Sequence, residues 1–558
     1  MRISMDLSSS RFLFLDCQTT GLSHQRAELL ELGWSLSFHE KDIQTRLVRP
    51  SEITTVPKKV WRMTGITVAD AEGGKAASDI WEELRQAVLE GPVPICAAVI
   101  HYSQFELPFL KALHKKVCGE ESLPWPVICS YRVSARLHQD LPARTLRALS
   151  GHLGFVLPET HRSREHVAAT QKIWRHLLEG LRTRESVTTW DDLQSWLAKK
   201  STRPSKREPR KYLIPRELRL DLPETPGVYQ MHSSTGSILY IGKATSLRSR
   251  VNSYFRQRRS TRAMLGELMT QVASIEVTET ETALEAALLE NDRIKRFQPQ
   301  YNSSLRTYDR RIGFVASDLS EVSLKPSAAH PWGPFLSPRP FESLERLLLL
   351  QKEQLEEKEL LLLAHDPREM KIALEALLRL LGIEDISNLT LKDLLKAGRR
   401  LLPSQAVNDA PNEEPDILSS LQRKLKRPIR LLHHAHWLCW MMESRVAWQV
   451  SVDNTDRWRF LTLAGGKIVD QGYRTERELS HFKRPRVAFR SRQEQMTVET
   501  YDRMRILLTE LAILTKRNVR VQVEFSASRV YRTDRAVGLI VHAINATRQK
   551  DDEVTINS

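Results

Sequence analysis

Residues 226–255 read PGVYQMHSSTGSILYIGKATSLRSRVNSYF. Two β-type runs, one holding Gly227-Val228-Tyr229 and the other Tyr240-Ile241-Gly242, flank Ser233 to Gly236, whose Ser, Thr and Gly content suits a tight turn. The stretch is therefore expected to fold as an antiparallel hairpin. Lys243 follows the second tripeptide, and a helix rich in arginine follows that: from Arg248 to Arg262 there are six arginines and no acid, interleaved with Tyr254 and Phe255. Further on, ETALEAALLENDRIKRFQPQYN combines an apolar helix bearing Glu290 with a closing Tyr301-Asn302.

Taken in this order, from Leu222 to about Leu305, these residues resemble the GIY-YIG nucleases, and within them the N-terminal nuclease half of the bacterial UvrC-type excinucleases. The resemblance implies a small α/β nuclease domain over 213–305 with Tyr229, Tyr240, Lys243, Arg250, Tyr254, Glu290 and Asn302 as its catalytic set. Elementary chemistry gives several of these residues the same work. Hydrolysis of a phosphodiester needs an activated water, neutralisation of charge developing on the phosphate, and stabilisation of the leaving 3′ oxygen. A lone carboxylate such as Glu290 suits a hard ion, Mg²⁺ or Mn²⁺, whereas Glu281 and Glu285 read as helix-surface acids. A phenol such as Tyr240 acts as a base only if cations lower its pKa from about 10, and Lys243 and Arg250 stand at suitable sequence distances. Arg250 offers a planar fork of donors for the scissile phosphate. Arg248, Arg256, Arg258, Arg259 and Arg262 are expected to hold backbone phosphates without reading bases.

A second resemblance lies near the N-terminus. RFLFLDCQTTGL, VWRMTGIT, HYSQFELPFL and HRSREHVAAT, between about 10 and 180, resemble the DEDD exonuclease fold of the proofreading subunit of DNA polymerase III, an RNase H-like α/β fold. That family holds two metal ions with packed carboxylates, and this chain departs from its pattern. Gln18 replaces the second acid of Asp16-Cys17-Gln18, Glu106 stands for an aspartate, and His166 occupies the last acidic position beside His161, which matches the family's general base. With its ligand charge reduced, the domain is expected to be silent; a mixed Asp16, Glu106, His166 site for one transition ion is the alternative.

Outward from these two regions, 558 residues exceed what one core organises. The expected division is an exonuclease-like domain at 1–183, a basic linker at 184–212 containing KKSTRPSKREPRK, the nuclease domain at 213–305, an extension and Leu-rich helical block at 306–402, an acidic linker at 403–416, and a C-terminal α+β region at 417–558. The fold class is thus multidomain, α/β followed by helical and α+β parts. A formal charge of +16 points to a polyanion. No apolar run of about 18 residues supports a membrane span, and no signal peptide is visible, which makes the cytoplasm the expected location. The five cysteines, Cys17, Cys96, Cys118, Cys129 and Cys439, form no CxxC pair, so no iron–sulfur cluster or disulfide framework is expected. His433, His434 and His436 beside Trp437, Cys439 and Trp440 read as a partly buried amphipathic segment. The C-terminal 200 residues show no carboxylate-rich pattern for a second nuclease, so one incision is expected. DNA is the expected partner, and the damage-recognition excision-repair A and B subunits are implied by the resemblance alone. The competing reading is a non-catalytic DNA-binding scaffold.

Overall fold

The computed structural model describes residues 5–199, 210–256, 263–302, 305–306, 310–317, 321–337, 339–351, 354, 366–380, 382–383, 393, 417–452, 455–480, 488–525 and 529–532. They form two compact units, 1–281 with 299–303, and 282–298 with 304–558.

The first unit begins with strands β1 (Phe12–Thr19), β2 (Leu29–Ser35) and β3 (Gln44–Leu47), followed by helices α1 (Lys58–Thr64), α2 (Val68–Glu72) and α3 (Ala77–Leu89). Then come β4 (Ala97–Ile100), α4 (Ser103–Cys118), β5 (Val127–Cys129), α5 (Ser130–Leu137), α6 (Leu146–His152), α7 (Ser163–Glu185) and α8 (Trp190–Ala198). The sheet order is β3-β2-β1-β4-β5, antiparallel across β1–β3 and parallel from β1 to β4 and β5. β1 is apolar without alternation because both of its faces are covered. Phe12 and Phe14 pack with Trp174, Leu177 and Leu181 of α7, while Leu13 and Leu15 pack with Trp81 and Leu84 of α3 and Leu110 of α4. α7 crosses β2 so closely that a Cβ at Gly33 would lie 2.6 Å from Ser163 Cβ. A buried Glu31 fixes the helix start, accepting from Ser163 N at 2.7 Å and pairing with Arg162 at 2.7 Å. α8 lies in the stretch expected to be linker, yet Leu193 and Trp196 join this core and Thr189 bridges to Asp6. The apolar period of WDDLQSWLA, capped by Thr189, outweighs the polar sequence around it. Residues 200–209 of KKSTRPSKREPRK lie outside the described residues.

Burial of histidine gives this domain an acid-sensitive element. His138 is buried and stacked on His176 at 5.2 Å, and burial, followed by the His176 charge, lowers its pKa to about 4. Because the folded value lies below the unfolded value of about 6.5, the contribution is full above pH 6.5 and is lost as pH falls toward 4. Acidification over this window is expected to cost about 2 kcal/mol from this residue. Urea midpoints at pH 7 and pH 4.5 for wild type and His138→Asn test this: the variant should lose less stability on acidification, and equal losses would refute it.

The small domain follows with α9 (Arg216–Leu220), β6 (Gly227–His232), β7 (Ile238–Ala244), α10 (Leu247–Arg256), α11 (Ala263–Gln271) and β8 (Ser274–Glu279). The antiparallel order is β7-β6-β8. Its hairpin turns at Ser233–Ser237, where Gly236 takes φ +82° and Ser233 N donates to Ser237 O at 2.9 Å.

The second unit holds α12 (Ala283–Phe297), the three-stranded sheet of β9 (Gly313–Val315), β10 (Val322–Ser323) and β11 (Trp332–Phe335), and helices α13 (Arg339–Gln351), α14 (Pro367–Leu380) and α15 (Ile417–Met441). β12 (Ser444–Val452), β13 (Thr455–Ala464), β14 (Lys467–Arg474), α16 (Phe489–Glu494), α17 (Val498–Lys516), β15 (Val521–Phe525) and β16 (Arg529–Arg532) complete it. The Leu-rich and C-terminal blocks share α15: Leu421, Leu425 and Ile429 pack with α13 and α14, while Leu438 and Met441 pack under the five-stranded sheet. That sheet runs β14-β13-β12-β15-β16, the same linear order as the N-terminal sheet, but β12 and β15 pair antiparallel, so it is a different fold. Its β13–β14 turn is made by Gly465 and Gly466, both with positive φ. Leu360 to Leu363 and the acidic stretch 403–416 lie outside the described residues. In the histidine cluster His434 is buried, and exposed His436 accepts from Trp440 Nε1 at 2.8 Å, as befits an amphipathic helix.

Candidate active site

Antiparallel register sets the two tripeptides against each other. Tyr229 pairs with Gly242 and Met231 with Tyr240, which puts the two tyrosines on one face of the sheet. Both glycines are demanded by packing. A Cβ at Gly242 would come within 2.3 Å of Tyr229 Oη, and one at Gly227 within 2.4 Å of Thr278 O. Tyr254 of α10 turns inward, and its hydroxyl meets that of Tyr229 at 2.7 Å. The three rings form a triangle, with Tyr240 6.1 Å from Tyr229 and 6.4 Å from Tyr254. The Arg250 guanidinium lies over the Tyr254 ring at 5.0 Å.

The three phenols differ in access. Tyr229 is fully buried, and burial, then the neighbouring tyrosines, push its pKa well up, so it stays a neutral phenol. Tyr240 is half-buried. Asn302 grips the peptide that follows Tyr240: its Oδ1 accepts from Ile241 N at 2.9 Å and its Nδ2 donates to Ile241 O at 2.8 Å. Tyr301 N donates to Leu239 O at 3.0 Å, so the closing Tyr-Asn holds the strand on both sides of Tyr240. Lys243 is exposed and pairs with Val228, out of phase with Tyr240 and Gly242 on the strand. Arg250 is thus a cation built into the triangle.

The structure thus brings Tyr229, Tyr240, Arg250, Tyr254 and Asn302 together in the first unit. Glu290 belongs to the second unit, half-buried on α12, a helix capped by Thr282. Its helix neighbours are committed elsewhere in that unit, Glu285 to Arg459 and Asp292 to Arg503 at 2.8 Å. Of the arginines expected on DNA, Arg256 is exposed, whereas Arg248 is tied down by Leu222 O at 2.7 Å and Glu224 at 2.8 Å. That local role follows from its place in the first turn of α10, beside the 222–224 loop. Arg258, Arg259 and Arg262 lie outside the described residues. Glu267 and Gln271 of α11, both bonded to the Tyr301 hydroxyl, were missed by the sequence reading because only tertiary packing brings α11 to Tyr301.

The degenerate exonuclease positions also converge, at the carboxyl ends of β1 and β4. Both Asp16 oxygens are occupied: Gln18 Nε2 donates to one at 2.7 Å, and His166 Nδ1 lies 2.9 Å from the other. Burial works to lower the His166 pKa, but the Asp16 carboxylate outweighs it and raises it. Glu106 accepts from Cys17 N at 3.2 Å, and burial, then the Asp16 charge, push its carboxyl well up. His161 packs edge-on to His166 at 5.4 Å, and burial brings its pKa to about 4. The protein's own hydrogen bonds therefore fill the place where the resemblance implies metal ligands.

Comparison with known proteins matches two segments of the chain. Residues 13–173 match the exonuclease family model, and residues 225–303 match the UvrC-like GIY-YIG domain. UvrABC system protein C of Geobacter metallireducens is 47% identical over 100 residues, 18% of this chain and 16% of that protein. The protein of the same name from Hydrogenovibrio crunogenus is 51% identical over 85 residues, 15% of this chain and 14% of its own length. The chain thus spans about a sixth of the length of these relatives. Among solved structures, the GIY-YIG N-terminal endonuclease domain of UvrC from Thermotoga maritima, bound to magnesium, is 32% identical over 16% of this chain and 93% of that one, with TM-score 0.14. Exonuclease I is 14% identical over 40% of this chain and 49% of its own, with TM-score 0.28. The match at 225–303 contains every residue of the tyrosine triangle together with Arg250, Glu290 and Asn302, and the match at 13–173 contains the altered acid positions, so the chain joins an exonuclease-type domain to a UvrC-like GIY-YIG domain.

Proposed function

We propose that the chain is a metal-dependent DNA endonuclease that makes one single-strand incision in nucleotide-excision-type repair, with its exonuclease-type domain catalytically silent. The observation that carries this reading is the Tyr229–Tyr240–Tyr254 triangle with Arg250, braced by Asn302, inside the GIY-YIG match. Tyr240, the accessible phenol, serves as the base in its deprotonated form: the phenolate takes a proton from the attacking water and becomes the neutral phenol. Tyr229 and Tyr254, hydrogen-bonded to each other, hold the ring in place, and Arg250 holds the scissile phosphate through paired donors. The water oxygen bonds to phosphorus as the bond to the 3′ oxygen breaks. A divalent ion, Mg²⁺ or Mn²⁺, at Glu290 would stabilise that leaving oxygen. One half-exposed carboxylate fits such an ion, which keeps most of its water ligands. Arg256 and the neighbouring arginines give DNA affinity without sequence preference.

The exonuclease-type pocket does not fit two metal ions, because Asp16 is engaged by Gln18 and His166. We assign that domain to holding or docking DNA. The names of the relatives support delivery to damage by the excision-repair A and B subunits. DNA as substrate supports a cytoplasmic place of action, and no described helix is long and apolar enough to cross a membrane.

The test is one set of incubations with Mg²⁺ or Mn²⁺: supercoiled plasmid and a bulky-lesion duplex, with and without the A and B subunits, and single-stranded DNA alone. Nicks that vanish with EDTA, without loss of single-stranded DNA, are expected. Tight DNA binding without any nick would establish the scaffold instead, and Asp16-dependent degradation of the single strand would overturn the silent assignment.

A further inference from the structure

The first unit contains a contact that neither domain explains alone. The segment from His138 through α6 of the exonuclease-type domain packs on α11 of the small domain. The fit is close at four successive points. Gly266 sets its Cα where a Cβ would be 3.3 Å from Pro142 O, and a Cβ on Gly151 would lie 2.3 Å from Gln271 Oε1. Thr270 Oγ1 accepts from Ala143 N at 2.9 Å. Between them, Glu267 accepts from Thr145 Oγ1 at 2.5 Å and faces Arg147 at 3.6 Å, both on the exonuclease-type side. The same carboxylate accepts from the Tyr301 hydroxyl at 2.8 Å. Tyr301 is buried, bonds Leu239 O through its own N–H, and is followed by Asn302, which clamps Ile241. A chain of direct contacts therefore runs from Thr145 and Arg147, through Glu267 and Tyr301, to the backbone on both sides of Tyr240.

We propose that the exonuclease-type domain is a positioning scaffold for the nuclease site, with Glu267 as the positioning residue that transmits its hold through Tyr301 to Tyr240. This rests on the proposed role of Tyr240. Its physical basis is rotational: a strand-borne phenol keeps its aim only if the backbone beneath it is fixed, and Tyr301-Asn302 fixes that backbone only while the Tyr301 hydroxyl is anchored. It also gives the retained domain a use that needs none of its lost acids. Arg147 lies near enough to His161 and His166 for its charge to act on both, so the anchor begins beside the altered pocket.

Tyr301→Phe and Glu267→Gln are made in the full chain, with Thr270→Val as a variant that loosens the same interface off this path. Nicking is measured at saturating DNA, DNA affinity by anisotropy, and hydrogen exchange at the Ile241 amide. Tyr301→Phe, which keeps the ring, should lower kcat about tenfold with unchanged DNA affinity and speed exchange at Ile241 about tenfold; Glu267→Gln should act in the same direction, and Thr270→Val should alter neither. Equal effects from Thr270→Val, or wild-type exchange and kcat in Tyr301→Phe, would overturn the proposal. Should the wild type nick no DNA, the endonuclease reading fails, while the exchange at Ile241 still decides whether Glu267 and Tyr301 position the strand.

Discussion

Glu290→Ala is expected to lower metal-dependent nicking by about 10³-fold or more while leaving DNA affinity within about twofold. Removing the carboxylate removes the proposed hard-ion ligand, and a metal ion that stabilises a leaving oxygen supplies several kcal/mol of barrier reduction. In the proposed reading DNA affinity comes instead from exposed arginines such as Arg256, which the substitution leaves in place. The informative comparison is Glu285→Ala, five residues earlier on the same helix. Glu285 pairs with Arg459 and both side chains are largely buried, so its loss strands a cation and should cost about 3 kcal/mol of stability. Below its unfolding temperature, however, that variant should still nick. Single-turnover nicking at fixed Mg²⁺, with melting curves on the same preparations, separates the two. If Glu290→Ala keeps wild-type rates, Glu290 is not the metal ligand.

The GIY-YIG segment was legible in the sequence because its pattern lies in short-range spacing. The two tripeptides, the turn between them and Tyr254 all come from one hairpin and the helix after it, where strand period and turn residues fix the geometry. The altered exonuclease site was legible for a different reason: Asp16 within β1 and Glu106 and His166 near the starts of α4 and α7 stand at positions that the fold must bring together, whatever side chains occupy them. Other features could not be read locally. α8 looked like linker because its neighbours are basic, and only the burial of Leu193 and Trp196 against the first core shows otherwise. Arg248 counted as one more arginine in a run until the loop at 222–224 claimed it. Glu267 has no local signature at all, since its partners lie at Thr145 and Tyr301. Nor does composition reveal that α15 serves two cores, because a single amphipathic period continues through both.

Gly242→Ala carries the second large expectation: about 100-fold slower nicking, with a stability loss of about 1–3 kcal/mol. The added methyl would lie 2.3 Å from Tyr229 Oη, 2.5 Å from Tyr229 Cζ and 2.9 Å from Tyr240 Cε1, so it crowds both rings of the triangle. Tyr229 has no room to yield, being fully buried and hydrogen-bonded to Tyr254. The strand must therefore give way at residue 242 and carry Tyr240 with it, and a shift of about 1 Å in a reacting group costs about 10² in rate. Gly236→Asn provides the contrast. Gly236 needs a positive φ, which asparagine tolerates, and nothing lies within 4 Å of an added Cβ there. That turn variant should fold and nick much as wild type does. Nicking rates measured well below each melting temperature decide the matter: a Gly242→Ala enzyme as fast as Gly236→Asn would mean that Tyr229 and Tyr240 do not share the face on which the proposed chemistry depends.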